Sequence, residues 1–561
     1  MSLVALFEMI RAMVVAPLSV AAVLGLGMAP QAAAAQGLET ASISALPAPR
    51  LLFSEREMQL AEAVAHDPGL ADFYGSNGLK PVFLGPEGAA RRQAVIAAVE
   101  QAASHGLPLA RYRPDLLAGL AQNGGDTLAE ELTFARVFDR WAHDLTGGVL
   151  DPQKVDPGIK RKVERPAAGD LLRGLVASDD PAGFIARLGP SDPRYGQLRQ
   201  ALAASAPLVA PPGTPRVPEG SWRLGDSGPA VQALRTRLAA MGFDAVPEAS
   251  AEVFDAPLAI AVARFQAQAG MGADGIAGPR TVARLNRNGE ADPALLVALE
   301  RMRWMNGADP MARQVWVNLP EFTARILQDG QEVFSTRVVI GKADPEYETP
   351  EFSETMKYIV ANPRWNVPRS ITVKEYLPRL QANRNAVGHL DVVDGAGRVI
   401  SRDRIDFRKY TASNFPYRMR QKPSDDNALG QVKFMFPNPW NIYLHDTPTK
   451  HLFNQSSRAY SHGCIRIGRP IDLAHELLAG QVGNPEATFQ KALRSGQESF
   501  LNLRQPIPVH LVYFTAFPDA DGQIRRFPDI YGRDAQVHAA LTASAERAAR
   551  DSGLDFGDLR D

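Results

Sequence analysis

The chain has 561 residues, 45% of them hydrophobic and 22% charged, enough apolar material for several cores, and at roughly 100 to 200 residues per domain it should hold about three or four. Lys and Arg number 61 against 62 Asp and Glu, a formal net charge of −1 that offers no electrostatic footprint for nucleic acid. A single cysteine excludes an internal disulfide, and His66, His105, His143, His389, His475, His510 and His538 lack metal-ligand spacing, so neither a metal nor a cofactor is expected.

In chain order, residues 12–28 form an apolar run behind Arg11, and Ala33-Ala34-Ala35 supplies a small-residue cleavage pattern. Residues 1–35 read as a signal peptide or, uncleaved, as a signal anchor in the membrane; either exports the folded part. Residues 36–50 read as a disordered leader, and 51–205 as a mostly helical scaffold. Within that scaffold Leu132, Val137, Phe138, Trp141 and Leu145 recur near helical spacing until Gly147-Gly148 stops the run. The closely spaced prolines of 206–219 mark a semi-rigid linker.

Residues 220–288 form a compact module of three predicted helices. Val231, Leu234, Leu238 and Met241 stripe the first, Ile260, Val262, Phe265 and Ala269 the second, and Thr281 to Leu285 make the third. The words Leu224-Gly225-Asp226-Ser227-Gly228, Val231-Gln232-Ala233-Leu234, Phe265-Gln266 and Asp274-Gly275-Ile276-Ala277-Gly278-Pro279-Arg280-Thr281 resemble the three-helix peptidoglycan-binding module. These are largely packing and turn residues, so a wall-binding role and a plain spacer both stay open.

From about residue 313 the pattern turns to strands, at Gln314 to Leu319, Phe322 to Leu327 and Val333 to Ile340, with Asp329-Gly330 suited to a tight hairpin. A polar, helical stretch follows from Ser370 to Ala382, and strands return at Val432 to Phe436 and Asn441 to Leu444, which delivers His445 at a strand end. Cys464 stands in Tyr460-Ser461-His462-Gly463-Cys464-Ile465-Arg466, with His445 upstream. A thiol attacks as its thiolate and needs a base or positive surroundings, which imidazole supplies. A lone cysteine is also a common inert core residue; two nearby histidines, the adjacent glycine and Ser461 favour a nucleophile.

The strings Ile442-Tyr443-Leu444-His445-Asp446-Thr447-Pro448 and Tyr460 to Arg466 resemble the signature of the L,D-transpeptidase (YkuD-like) catalytic family, a β-sandwich with a cysteine nucleophile. Asn366 to Ile371, Phe415 to Pro423 and Asn427 to Asn438 narrow the resemblance to the large Gram-negative YcbB type. It implies a multidomain α+β chain: helical scaffold, peptidoglycan-binding module, a mainly-β catalytic domain over 313–518 with a capping insertion at about 370–430, and a tail over 519–561 that reads as a surface helix. It implies a periplasmic enzyme acting on peptidoglycan stem peptides and glycan, with cell-wall synthases and carboxypeptidases as candidate partners. Cys464 would attack the bond between an L-centre and the terminal D-alanine, and His445, not His462, would be the base. Asp446 or its carbonyl would orient the imidazole. Gly463, Cys464 and Tyr443 would stabilise the oxyanion, while His462 and Ser461 order the loop. Arg466 would meet a substrate carboxylate or form a structural ion pair, and Trp440 and Phe436 would wall the substrate or fill the core. Transfer to an amine, to water or to a protein lysine stays open, as does a non-enzymatic wall-binding protein.

Overall fold

The computed structural model describes residues 53–123, 125–205, 210, 211, 213–269, 271–286 and 291–551. The expected signal and leader lie outside them. No described helix is long and apolar enough to cross a membrane.

The first layer is helical, from Glu55–Val64 to Pro181–Ala186, around a core that includes Phe73, Tyr74, Phe83, Phe134, Phe138 and Trp141, and helix Pro193–Ser205 follows it. Its longest helix, Leu128–Gly147, starts on the Thr127 side chain and ends at Gly148, whose φ of 86° ends the helix where the glycine pair was expected to. Glu131 lies fully inside, yet its carboxylate accepts from the Val82 and Phe83 N–H groups, each at 2.8 Å, and from the Tyr74 hydroxyl at 2.5 Å. That satisfies a buried charge which would otherwise cost several kcal/mol.

Helices Pro229–Ala240, Ala256–Gln268 and Pro279–Leu285 enclose a separate small core of Val231, Leu234, Leu238, Leu258, Val262, Phe265 and Leu285. Ile260 corrects the expected stripe: it is 61% exposed, because the buried face runs through Leu258, Ala261, Val262 and Phe265 at helical spacing. The Asp274 to Thr281 word is a turn built on buried Gln266, whose amide donates to the Asp274 carboxylate at 2.8 Å and the Ile276 carbonyl at 2.9 Å. Helix Pro293–Trp304, which the sequence reading left unassigned, then joins the layers through a cluster containing Leu198, Leu299, Met302, Trp316 and Phe514.

Fourteen strands follow: β1 Gln314–Asn318, β2 Thr323–Gln328, β3 Gln331–Gly341, β4 Phe352–Ala361, β5 Trp365–Asn366, β6 Leu390–Val393, β7 Arg418–Gln421, β8 Val432–Met435, β9 Leu444–His445, β10 Ala459–Ser461, β11 Ile465–Ile467, β12 Ser499–Val512, β13 Ala516–Pro518 and β14 Ile524–Arg526. Nine form one sheet in the order β10-β3-β11-β9-β8-β4-β12-β1-β2, and β2 also pairs with β3, so the sheet closes on itself. The β2–β3 hairpin turns at Asp329 and Gly330, with φ of 53° and 75°, the mirror-image turn that Asp-Gly favours. The first half of β3 pairs with β2, and its last residues lie between β10 and β11. Val317, Ile326, Met356, Phe434, Leu444, Ile465 and Val509 fill the interior.

Between β4 and β8 the chain makes an excursion with its own small sheet, β5-β7-β6, a helical stretch from Arg369 to Ala382 and its own core of Trp365, Leu377, Leu390, Phe407 and Phe415. Tyr443 packs against both this core and that of the main sheet. The last helix, Arg533–Asp551, is not simply on the surface as expected. Val537 and Leu541 are buried against Ile159, Val297 and Trp304, so it fastens the helical layer to the sheet.

Candidate active site

Strand register assembles the site. His445 on β9 stands opposite Lys433 on antiparallel β8 and beside Arg466 on parallel β11. Directly paired residues share a face, and the neighbours Phe434, Leu444 and Ile465 point into the core. Lys433, His445 and Arg466 therefore form a row on the outer face. Tyr443 and Cys464, each just before β9 and β11 begin and two residues back from His445 and Arg466, continue that face at one end.

Cys464 is half-buried, and its thiol donates to the Asn441 carbonyl at 3.6 Å. Asn441 itself holds φ at 56°, in the left-handed region that asparagine tolerates. Tyr443, through its backbone and its hydroxyl, draws the thiol's pKa down. Burial pushes the thiol up to about 11 against the pull of Tyr443 and Arg466. Burial, reinforced by the Arg466 and Lys433 charges, pushes His445 down to about 3. The resting pair is therefore an uncharged thiol and an uncharged imidazole. No hydrogen bond joins them among the described residues, so the sulphur must turn from Asn441 before it can hand over its proton, a looseness common before substrate binds.

The imidazole is fixed from behind. His445 Nδ1–H donates to the Asp446 carbonyl at 2.5 Å, which leaves Nε2 as the acceptor. The Asp446 carboxylate does not orient the ring: it accepts from Thr447 N–H at 2.7 Å and Gln431 N–H at 2.9 Å and pairs with Lys450.

The nucleophile loop is braced from two sides. Ser461 Oγ donates to the Cys464 carbonyl at 2.5 Å and accepts from Gly463 N–H at 3.1 Å. Gly463, at φ 106°, gives the turn a backbone shape other residues resist. Its N–H is already used, which corrects the expectation that it serves the oxyanion; the Cys464 N–H and the Tyr443 hydroxyl remain for that task. Thr349, fully buried, donates to the Gly463 carbonyl at 2.7 Å and accepts from Gly341 N–H at 2.9 Å. Tyr531 donates to the Gly341 carbonyl at 2.7 Å, and Arg533 donates to the Thr349 carbonyl at 3.1 Å while pairing with Glu348 at 2.9 Å. On the other side His462 Nε2 meets Glu375 of the excursion at 2.7 Å, and its ring stands edge-on to Tyr347 at 4.9 Å. Lys374 beside it pairs with Glu346.

A cleft of about 1110 Å³ opens over the loop, lined by Trp440, Tyr443, His462, Gly463 and Cys464 from the sheet side and Arg364, Asn366 and Arg369 from the excursion side. Phe436 does not reach it: at 1% exposure it packs in the sheet interior beside Phe352, because it continues the inward face of Val432 and Phe434 at a spacing of two residues. Trp440 is 36% exposed and does line it. Arg466 donates to Thr449 Oγ1 at 3.1 Å, a structural contact below the cleft wall. Sequence reasoning missed Thr349, Tyr531, Arg533 and Lys433. Lys433 lies inside the word Asn427 to Asn438 but was given no role there; Thr349, Tyr531 and Arg533 belong to no word, and strand pairing or contacts across more than a hundred residues bring them here. Among the described residues no group of three His, Cys, Asp or Glu is placed to hold a metal.

Comparison with known proteins matches residues 312–484 to the YkuD L,D-transpeptidase catalytic domain, 68–202 to a scaffold domain and 227–285 to a "Putative peptidoglycan binding domain". A Haemophilus influenzae protein named "Putative L,D-transpeptidase" is 35% identical over 228 residues, 40% of this chain; the match spans 45% of that relative's own length. A crystal structure of an L,D-transpeptidase from Xylanimonas cellulosilytica, residues 123–326, covers 53% of this chain and 100% of its own at 16% identity and a TM-score of 0.14, too low to bear on the site. The matched stretches do not overlap, and each falls on its own set of elements: the chain carries a scaffold domain, a peptidoglycan-binding domain and, around Cys464, a catalytic domain of the YkuD L,D-transpeptidase family.

Proposed function

We propose that the protein is a peptidoglycan L,D-transpeptidase of the cell-wall compartment with Cys464 as nucleophile and His445 as general base. The observation that carries this is the seating of the chain's one thiol in the large cleft, with Tyr443 on the sulphur and His445 held in a single tautomer on the same sheet face. As Sγ attacks the carbonyl of the third stem residue, its proton passes to His445 Nε2, and the oxyanion meets the Cys464 N–H and the Tyr443 hydroxyl. The C–N bond to D-alanine then breaks. An imidazolium buried beside Arg466 and Lys433 is a strong acid, consistent with the neutral form being favoured down to about 3, and it returns the proton to the leaving amine. The thioester is resolved by a diaminopimelate amine of a second stem, which gives a 3-3 cross-link. The 227–285 domain would hold the glycan, and the excursion over the cleft would cap the donor peptide.

The test is acylation followed by product analysis. A carbapenem should add once, at Cys464, and Cys464→Ala should lose both the adduct and D-alanine release. Mass spectrometry of wall fragments should find 3-3 cross-links. Trimmed tripeptides alone would make water the acceptor and the protein an L,D-carboxypeptidase, and turnover retained by Cys464→Ala would remove the nucleophile assignment.

A further inference from the structure

We propose that Lys433 receives the free terminal carboxylate of the donor stem and so restricts the enzyme to the last peptide bond of that stem. The inference rests on the transpeptidase reading and adds a specificity residue to it.

Lys433 lines the cleft one strand away from His445 and directly opposite it in register. Paired Cα atoms across antiparallel strands stand about 4.5–5.5 Å apart, within the reach of a lysine stem. In a donor cut at its last bond, the carboxylate sits on the Cα that carries the leaving nitrogen. A base working on that nitrogen from β9 thus puts the carboxylate within range of a cation on β8 or β11. On β11 Arg466 does not line the cleft, and its guanidinium donates to Thr449. On β8 the Lys433 ammonium has no hydrogen-bond or ion-pair partner among the described residues. Glu498 attracts it without forming an ion pair and accepts from the Arg364 backbone N–H at 2.9 Å.

The other charges of the cleft are largely settled. Glu346 is paired with Lys374, while Glu348 and Asp156 both face Arg533. Arg369 donates to the Ala412 carbonyl within the excursion. Lys433, Lys160 and Arg364 line the cleft with no acidic partner among the described residues, a net positive wall suited to an anionic peptide. Burial lowers the Lys433 pKa, the mark of an ammonium that has given up water without gaining a counter-ion. A carboxylate there would also cancel one of the two cations that hold His445 neutral, making the base stronger only once the substrate is seated.

The experiment compares a tetrapeptide stem ending in free D-alanine with the same peptide ending in D-alaninamide, with thioester on Cys464 and amine release followed by mass spectrometry. Wild type should favour the acid by about tenfold or more in kcat/KM, the scale of one hydrogen bond to a charged group. Lys433→Gln should collapse the acid-to-amide ratio in kcat/KM to about one, whatever it does to both rates through His445, and Lys433→Arg should keep part of the preference. Equal losses on both peptides in folded Lys433→Gln would mean that Lys433 acts on His445 or the fold, which overturns the assignment. So would a wild type that does not distinguish acid from amide, a comparison that needs no variant. Absence of a Cys464 thioester with either peptide would instead overturn the transpeptidase reading, and the Lys433 role with it.

Discussion

An uncharged resting site makes Cys464 slow toward a simple alkylating agent and fast toward a substrate-like acylating one. With the thiol pushed up to about 11, its thiolate fraction at pH 7.5 is about 3 × 10⁻⁴, against roughly a tenth for a cysteine at its ordinary 8.5, a deficit of about 300-fold. The chain has one cysteine, so iodoacetamide consumption by the whole protein reports this site alone, and the same chain in denaturant supplies the reference. At pH 7.5 the native protein should alkylate about 10²-fold more slowly than the denatured one, and its rate should climb about tenfold per pH unit from 7 to 10. Steric shielding of a half-buried sulphur slows the reaction equally at every pH, so the slope isolates the ionisation. Carbapenem acylation should behave differently, because the electrophile arrives beside a base that removes the proton during attack: the rate should change little between pH 6 and 9 and fall about 10²-fold or more in His445→Ala. Native alkylation as fast as in the denatured chain, or a plateau with its midpoint below pH 7, would refute this reasoning and mean a preformed thiolate–imidazolium pair.

Thr349→Val should strand the Gly341 N–H and the Gly463 carbonyl, costing about 2–6 kcal/mol and slowing acylation, while Thr349→Ser keeps the hydroxyl and most of both; denaturant midpoints and acylation rates check it. His510 and His445, 7% and 5% exposed, are both held down to about 3, His510 by burial and then by Arg161 and Arg194. The unfolded chain takes up protons below about 6.5 that the folded chain refuses down to about 3. The stability from burying each neutral ring is thus complete above 6.5 and lost as pH falls, by about 2 kcal/mol each between pH 6.5 and 5. His510→Asn should flatten that slope by about one proton in urea titrations; an unchanged slope would show that His510 does not titrate in the unfolded chain alone.

The parts legible in the sequence were those whose physics is local. Helical periodicity identified the scaffold and the three-helix module, Asp329-Gly330 identified a hairpin, and strand patterning put His445 at the end of β9. Where a side chain points at the close of an element was less legible. Phe436 lies just beyond β8 and keeps the inward face of Val432 and Phe434, away from the cleft, and Ile260 shares an apolar run with core residues but points to solvent. Register was not legible at all. Opposing Lys433 to His445 needs the β8–β9 pairing, and joining Thr349 to Gly463 needs a contact across 114 positions. The last helix misled for a related reason: alanine and charge hide a narrow apolar stripe, Val537 and Leu541, that has meaning only against Ile159 and Trp304.

The braces on the nucleophile loop differ in strength, and that difference assigns them different parts. Thr349 makes its bonds with the whole side chain buried, so breaking them leaves backbone groups without water, at about 1–3 kcal/mol each. His462 and Glu375 meet with side chains 29% and 41% exposed, where water replaces either partner and the net value is about 1 kcal/mol or less. Lys374 and Glu346, 52% and 44% exposed, are no better protected. The loop that presents Cys464 is therefore held by Thr349 and, behind it, by Tyr531 and Arg533 at the start of the last helix. The excursion touches that loop through contacts that separate at little cost. Losing the two exposed pairs frees only the edge of the excursion over the loop, because Tyr443 packs into both cores and keeps the rest seated, while the sulphur and the His445 tautomer stay where the sheet and the buried threonine keep them.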